Sequence, residues 1–143
     1  MGETPVLRRV AFQLPRHPAS IATARHRIRE QLVAWSREAW LVEDAVLVVS
    51  ELTTNTVRHG HVLEREFEVA VTMMADGSCV VEVADGGSRY DPVPPSAQPP
   101  PEAESGRGLR LVDSLAESWG VWNRGRFGKT VWALLRPAGD AGG

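Results

Sequence analysis

Residues 67–87, FEVAVTMMADGSCVVEVADGG, decide the fold. Phe67, Val69, Val71 and Met73 alternate with polar or small residues, and Asp76-Gly77 then offers a tight turn into a second apolar run, Cys79 to Ala84, closed by Asp85. Period-two alternation on both sides of an Asp-Gly pair is the pattern of a β-hairpin. The second strand ends in a carboxylate, and Gly86 and Gly87 after it would let the backbone and a flat ligand approach closely. Asp85 has two readings at this point: a turn in which it bonds its own backbone, or a buried acceptor for the exocyclic amine of a purine, which would select adenine over guanine. About twenty residues on, Ser105-Gly106-Arg107-Gly108-Leu109 opens another apolar run. A glycine turn feeding a helix supplies free backbone amides for phosphate, and Arg107 adds charge beside them. A dinucleotide fingerprint is a poor fit, because the glycines follow a proline-rich stretch rather than a strand and Val112 stands where a later small residue is expected.

Working outward, Val10, Phe12 and Leu14 share one side of a strand expected over Val6 to Leu14 and ended by Pro15 and Pro18. From Ala19, the apolar positions Ile21, Ala24, Ile28, Leu32 and Trp35 recur every three or four residues, the mark of an amphipathic helix with Pro18 near its first turn. A second helix is expected over Glu43 to His59: Ala45, Val48, Val49 and Leu52 share a face, Glu43 and Asp44 sit where the dipole favours acids, and Gly60 stops it. Beyond the hairpin, Gly108 to Ala116 reads as a helix, Ser118 to Asn123 and Thr130 to Arg136 as strands, and Arg124-Gly125-Arg126 as a turn, with Trp119, Trp122 and Trp132 as core aromatics. Between Ser88 and Ser105, Pro92, Pro94, Pro95, Pro99, Pro100 and Pro101 exclude helix interior and central strand. A loop of that length in a compact domain is a disordered surface segment, a functional lid, or both.

The 143 residues suit one domain, 1–143, with a lid at about 88–105 and a fraying tail over 137–143. With 16 basic and 18 acidic residues the net charge is -2, which gives no positive field for a nucleic acid. The basic stretch Arg25-His26-Arg27-Ile28-Arg29 reads as a solvated helix face. Cys79 is the only cysteine and lies in a strand, so it reads as a small buried hydrophobe, consistent with a reducing cytoplasm. No apolar run approaches the ~18 residues of a membrane span, and no signal-peptide pattern opens the chain, so no membrane association is expected.

On the second helix Glu51, Asn55 and His59 are spaced by four, so the three side chains form one stripe on the shoulder of the apolar face. An Asn amide oxygen is a hard neutral ligand suited to magnesium, whose shell water and phosphate oxygens complete. A carboxylate one turn earlier can act as base on a hydroxyl attacking a terminal phosphate. An ordinary solvated helix face accounts for the same spacing, and His59, at the helix C-terminus, serves equally well to satisfy carbonyls and the dipole.

In chain order, Glu51-x3-Asn55-x3-His59, Asp85-x-Gly87, Gly106-x-Gly108-Leu109 and Gly128-Lys129-Thr130 resemble the N box, the two glycine boxes and the terminal Thr of the GHKL ATPase superfamily. Within it, short chains reading close to SELTTNTVRHG, VEVADGG, ESGRGLRLVDSLAESWGV and GKTVWALL resemble bacterial anti-sigma factors that are serine-protein kinases. The resemblance covers roughly Val6 to Arg136. It implies an α+β two-layer sandwich, a mixed, mostly antiparallel sheet with helices on one face in the Bergerat-type arrangement, and ATP held between the helices and the lid. It further implies that Asn55 and Mg2+ meet, that Glu51 is the catalytic base, that Asp85 reads the adenine amine and that Thr130 supports Asp85 through water. His59, Gly87, Gly106, Arg107, Gly108 and Leu109 complete the nucleotide site it implies. The partners it implies are a sigma factor and an anti-sigma-factor antagonist, the latter the phosphate acceptor, with homodimers common among such regulators. An ATP-binding interaction module without phosphotransfer is the other function compatible with these motifs. The chain departs from the pattern in two places: Arg89 stands where a further glycine is usual, and the lid is unusually rich in proline. No helical hairpin with a phosphorylatable His is expected before the N box, so a complete sensor histidine kinase is not expected.

Overall fold

The computed structural model describes residues 4–59, 66–85, 107–123 and 128–137. Within them the order is β1 (Val6–Pro15), α1 (Ala19–Ala34), α2 (Ala39–His59), β2 (Glu66–Met74), β3 (Cys79–Asp85), α3 (Arg107–Leu115), β4 (Ser118–Asn123) and β5 (Lys129–Leu135). The strands form one sheet in the order β1-β2-β3-β5-β4. Every pairing among the described residues is antiparallel, so the parallel contribution that a mixed sheet allows for is not among them.

The hairpin forms as its pattern dictates. Cys79, Val81, Val83 and Asp85 are buried and alternate with half-buried neighbours along β3, because successive side chains of a strand point to opposite faces. Its turn is built from the residues the sequence singles out. Gly77 adopts φ +91°, a region that side chains disfavour, and its amide donates to the Met74 carbonyl at 3.0 Å. Asp76 Oδ1 accepts from both the Ser78 amide (2.9 Å) and the Ser78 hydroxyl (2.6 Å). Those two bonds, the hydroxyl first, hold the Asp76 carboxyl below the usual carboxylate range.

One face of the sheet carries all three helices' apolar stripes. Leu14 of β1, Phe67, Val69 and Val71 of β2, Cys79, Val81 and Val83 of β3 and Ala133 and Leu135 of β5 join Ala24, Ile28 and Leu32 of α1, Val48, Val49 and Leu52 of α2 and Leu109 and Val112 of α3 in one core. Burial of each large aliphatic side chain here is worth about 1.5–3 kcal/mol. Cys79 sits among them as the small buried hydrophobe that its place in a strand leads one to expect, its thiol pushed up to about 12 by burial.

Three expectations are corrected. Helix α2 begins at Ala39, not Glu43, and its first turn holds no acid. The reason lies in the link before it. Ser36, at φ 59°, ends α1 with a left-handed cap in which the Ser36 amide donates to the Val33 carbonyl and the Arg37 amide to the Leu32 carbonyl. The chain re-enters helix at once, which places Leu41 and Val42 in the core. Glu43 then faces α1 and pairs with Arg29 at 2.8 Å, while burial, and secondarily Glu43, pushes the Asp44 carboxyl up. Trp122 is not a core aromatic: it is 65% exposed on the face of the sheet away from the helices. Trp132 is not a core aromatic either: it shares that outer face, half-buried, and lies so close over Gly120 that a Cβ there would meet its ring at 2.9 Å. Trp119 packs partly buried against the core, as expected.

The basic stretch on α1 is the solvated face it reads as, with Arg25, Arg27 and Arg29 exposed around buried Ile28. Arg27 lies over the Phe12 ring at 4.5 Å. No helix among the described residues is long and apolar enough to cross a membrane. The expected turn over 124–126, the helix stop at Gly60, the lid and the tail from 138 lie outside the described residues.

Candidate functional site

The second half of α2 and the open end of β3 come together because both need the same apolar layer. Val48, Val49 and Leu52 seat α2 on β3 and β5. Thr53, fully buried in that interface, is satisfied without a tertiary partner, since its hydroxyl donates to the Val49 carbonyl at 2.6 Å. Glu51 and Asn55 lie on the shoulder between this buried face and solvent, both half-buried, one turn apart. His59 is the last residue of α2, and its side chain lies outside the described residues.

Asp85 ends β3 on the helix-facing side of the sheet and is 7% exposed. The turn reading of Asp85 involves Gly86 and Gly87, which lie outside the described residues. Among the described residues its Oδ1 accepts from Arg16 Nη2 at 2.7 Å, and Arg16 Nη1 donates to the Thr56 carbonyl at 2.5 Å. Thr56 adjoins Asn55 in the last turn of α2, whose carbonyls have no partner within the helix. One guanidinium therefore touches both the carboxylate at the end of β3 and the helix turn that carries Asn55. The side chains of the pair are only 8% and 9% exposed.

Sequence reasoning missed Arg16. It lies between Pro15 and Pro18, a place that reads only as the end of a strand, and 69 residues separate it from Asp85. Thr130 is corrected. In the β3–β5 register Thr130 stands opposite Ala84, whereas Asp85 stands opposite Lys129. Directly opposed residues of antiparallel strands share a face, so Thr130, though buried, belongs to the face away from the helices and is not brought beside Asp85. Lys129 is the residue of β5 at the level of Asp85. Alternation counted back from core Ala133 gives this placement from the sequence.

Helix α3 starts at Arg107-Gly108, has no acidic residue in its first turn to compete for its free amides, and is anchored on α2 by Leu109 and Val112. Leu109 is thus a core residue. Gly87 and Gly106 lie outside the described residues, as do the side-chain surroundings of Arg107. Among the described residues no group of three or more His, Cys, Asp or Glu side chains could hold a metal by itself. The amide oxygen of Asn55 is a donor of the kind that suits a magnesium ion taking most of its shell from phosphates and water rather than from the protein.

The chain matches the family model of the histidine kinase-like ATPase domain over residues 14–135. It belongs to that family, and membership implies ATP binding. Among the solved structures that share the fold are the following two. The RsbU and RsbW domains of Rv1364c from Mycobacterium tuberculosis are similar at 22% identity and a TM-score of 0.68, over 92% of this chain and 34% of that one. A chain of the SiaB-SiaC complex from Pseudomonas aeruginosa is similar at 17% identity and a TM-score of 0.61, over 92% of this chain and 90% of that one. The chain thus spans about a third of the first structure. No curated protein matches it.

Proposed function

We propose that this chain is a Mg2+- and ATP-dependent anti-sigma factor that is also a serine/threonine protein kinase, acting on a protein antagonist and so regulating transcription. The observation that carries the reading is the placement of Asp85: a buried carboxylate at the open end of β3, facing the helices and tied to the turn that bears Asn55. In a chain of the histidine kinase-like ATPase family, that is where a base amine would be read. Similarity to an RsbW domain and to a chain of the SiaB-SiaC complex supports a protein as partner.

In this reading residues 1–143 act as one cytoplasmic domain, and the proline-rich segment at about 88–105 is its lid. Asp85 accepts from the adenine amine, and Gly87 allows the base to approach. The amides of Gly106, Arg107, Gly108 and Leu109 at the start of α3 take phosphate oxygens. Asn55 holds the magnesium ion, which would offset phosphate charge when bound. His59 borders the phosphate side of α2, and Thr130, from the outer face of the sheet, supports β5 rather than the base. Glu51 accepts the proton of the acceptor hydroxyl as its oxygen bonds to the terminal phosphorus and ADP leaves. A homodimer is compatible with this reading, and a sigma factor is the sequestered partner.

The test is Glu51→Gln, assayed with labelled ATP and the antagonist recovered from native extract. The variant should bind ATP normally and transfer no phosphate. Transfer at the wild-type rate would remove Glu51 from its role. A wild type that binds ATP and sequesters its partner without labelling any protein would make the chain an ATP-controlled interaction module instead.

A further inference from the structure

Resting on the reading that the cleft between α2 and the end of β3 takes an adenine nucleotide, we propose that Arg16 is its positioning residue, fixing the Asp85 carboxylate and the last turn of α2 against one another so that recognition of the base amine depends on it.

Arg16 is itself held. It lies in the link between β1 and α1, where the Ser20 hydroxyl donates to the Pro15 carbonyl at 2.6 Å and the Ser20 amide to the His17 carbonyl at 2.8 Å. With the backbone fastened on both sides, the side chain enters the layer between sheet and helices and is 8% exposed. A guanidinium is a planar fork whose donors have fixed mutual directions. With Nη2 on Asp85 Oδ1 and Nη1 on the Thr56 carbonyl, the fork sets the distance between the strand end and the helix turn as well as the orientation of the carboxylate. A carboxylate has about four acceptor positions, so the bond from Arg16 is compatible with a further one from a base. A carboxylate already oriented binds a donor without losing its own rotamer freedom, which is how such support raises affinity and selectivity. Lysine cannot replace this fork, because an ammonium is a point charge that carries no fixed pair of directions.

The measurement is the ratio of affinities for ATP and inosine triphosphate, which carries a carbonyl oxygen in place of the exocyclic amine, by calorimetry on the full chain with magnesium. Wild type should favour ATP by about tenfold or more, the reach of one charge-assisted hydrogen bond. Arg16→Gln should bring the ratio to within about threefold of unity, as should Asp85→Asn, and the double variant should fall no lower, because the two residues act as a unit. A merely structural Arg16 would weaken both nucleotides equally and leave the ratio intact. If Arg16→Gln does not fold, Arg16→Lys is read in its place: it keeps the charge but not the fork, and its ratio should also drop. Discrimination in wild type that survives both Arg16 variants while Asp85→Asn abolishes it overturns this proposal alone. A wild type that binds neither nucleotide overturns the reading of the cleft, and this proposal with it.

Discussion

Each end of the β2–β3 hairpin is gripped by one buried arginine from a link outside the sheet, and the two arginines end on different chemistry. At the turn, Arg37, from the α1–α2 link, donates to the Gly77 carbonyl at 2.7 Å and to the Met73 thioether, and its charge is met by half-exposed Glu38 at 2.9 Å. At the open end, Arg16, from the β1–α1 link, donates to a buried carboxylate. Neutral acceptors suffice to pin a turn. A buried ion pair adds no more stability than well-packed apolar side chains of the same volume would, so stability alone does not account for charge at the open end. That end adjoins the Asn55 turn of α2, and the proposed nucleotide chemistry gives the carboxylate its use.

The widest gap between the two ends should appear on removing the arginines in turn. Arg16→Met takes one partner from a buried pair and should cost about 3–5 kcal/mol of folding stability. Arg37→Met gives up hydrogen bonds to neutral groups and a half-exposed ion pair with Glu38, which solvent screens, and should cost about 1–3 kcal/mol. Urea unfolding of the two variants measures both, and equal losses would break the distinction. Next in size, Gly77→Ala forces a side chain into the left-handed turn and should cost roughly 1–2 kcal/mol while leaving nucleotide affinity unchanged, since the turn lies at the far end of β3 from Asp85. The smallest effect concerns pH. Asp76 is held below its ordinary range by Ser78, so its charge contributes stability above the unfolded carboxylate value of about 3.9 and loses it as pH falls through the lower folded value. With its side chain 36% exposed, solvent screens most of that contribution. Asp76→Asn should therefore be slightly less stable than wild type at neutral pH, and the difference should close in acid. A difference that grows in acid would contradict the sign.

Local patterns made the hairpin legible, because alternation and an Asp-Gly turn involve only neighbours in the chain. The apolar stripe Ala24, Ile28 and Leu32 gave α1 for the same reason. The start of α2 was not legible, because a left-handed serine cap has no strong sequence signal, and the acids at Glu43 and Asp44 imitate a first turn. For the site, Glu51, Asn55 and Asp85 were legible as candidates from motif order. Arg16 was not, since it acts through a long-range contact that no periodicity encodes. A motif gives Thr130 its place in the chain, whereas the face it occupies is set by strand register, and one residue of offset exchanges it with Lys129. Trp122 looked like core by composition alone; an outward position on β4 left it exposed.

The claim on which the rest depends is that adenine is read at Asp85 and its phosphates lie along α2. Backbone amide resonances of the full chain, followed during titration with ATP and magnesium, address it directly. Saturable shifts centred on Asp85, Asn55 and the first turn of α3, with the Gly77 turn unmoved, are the predicted result. Binding that shifts other surfaces and leaves Asp85 and Asn55 in place would contradict it.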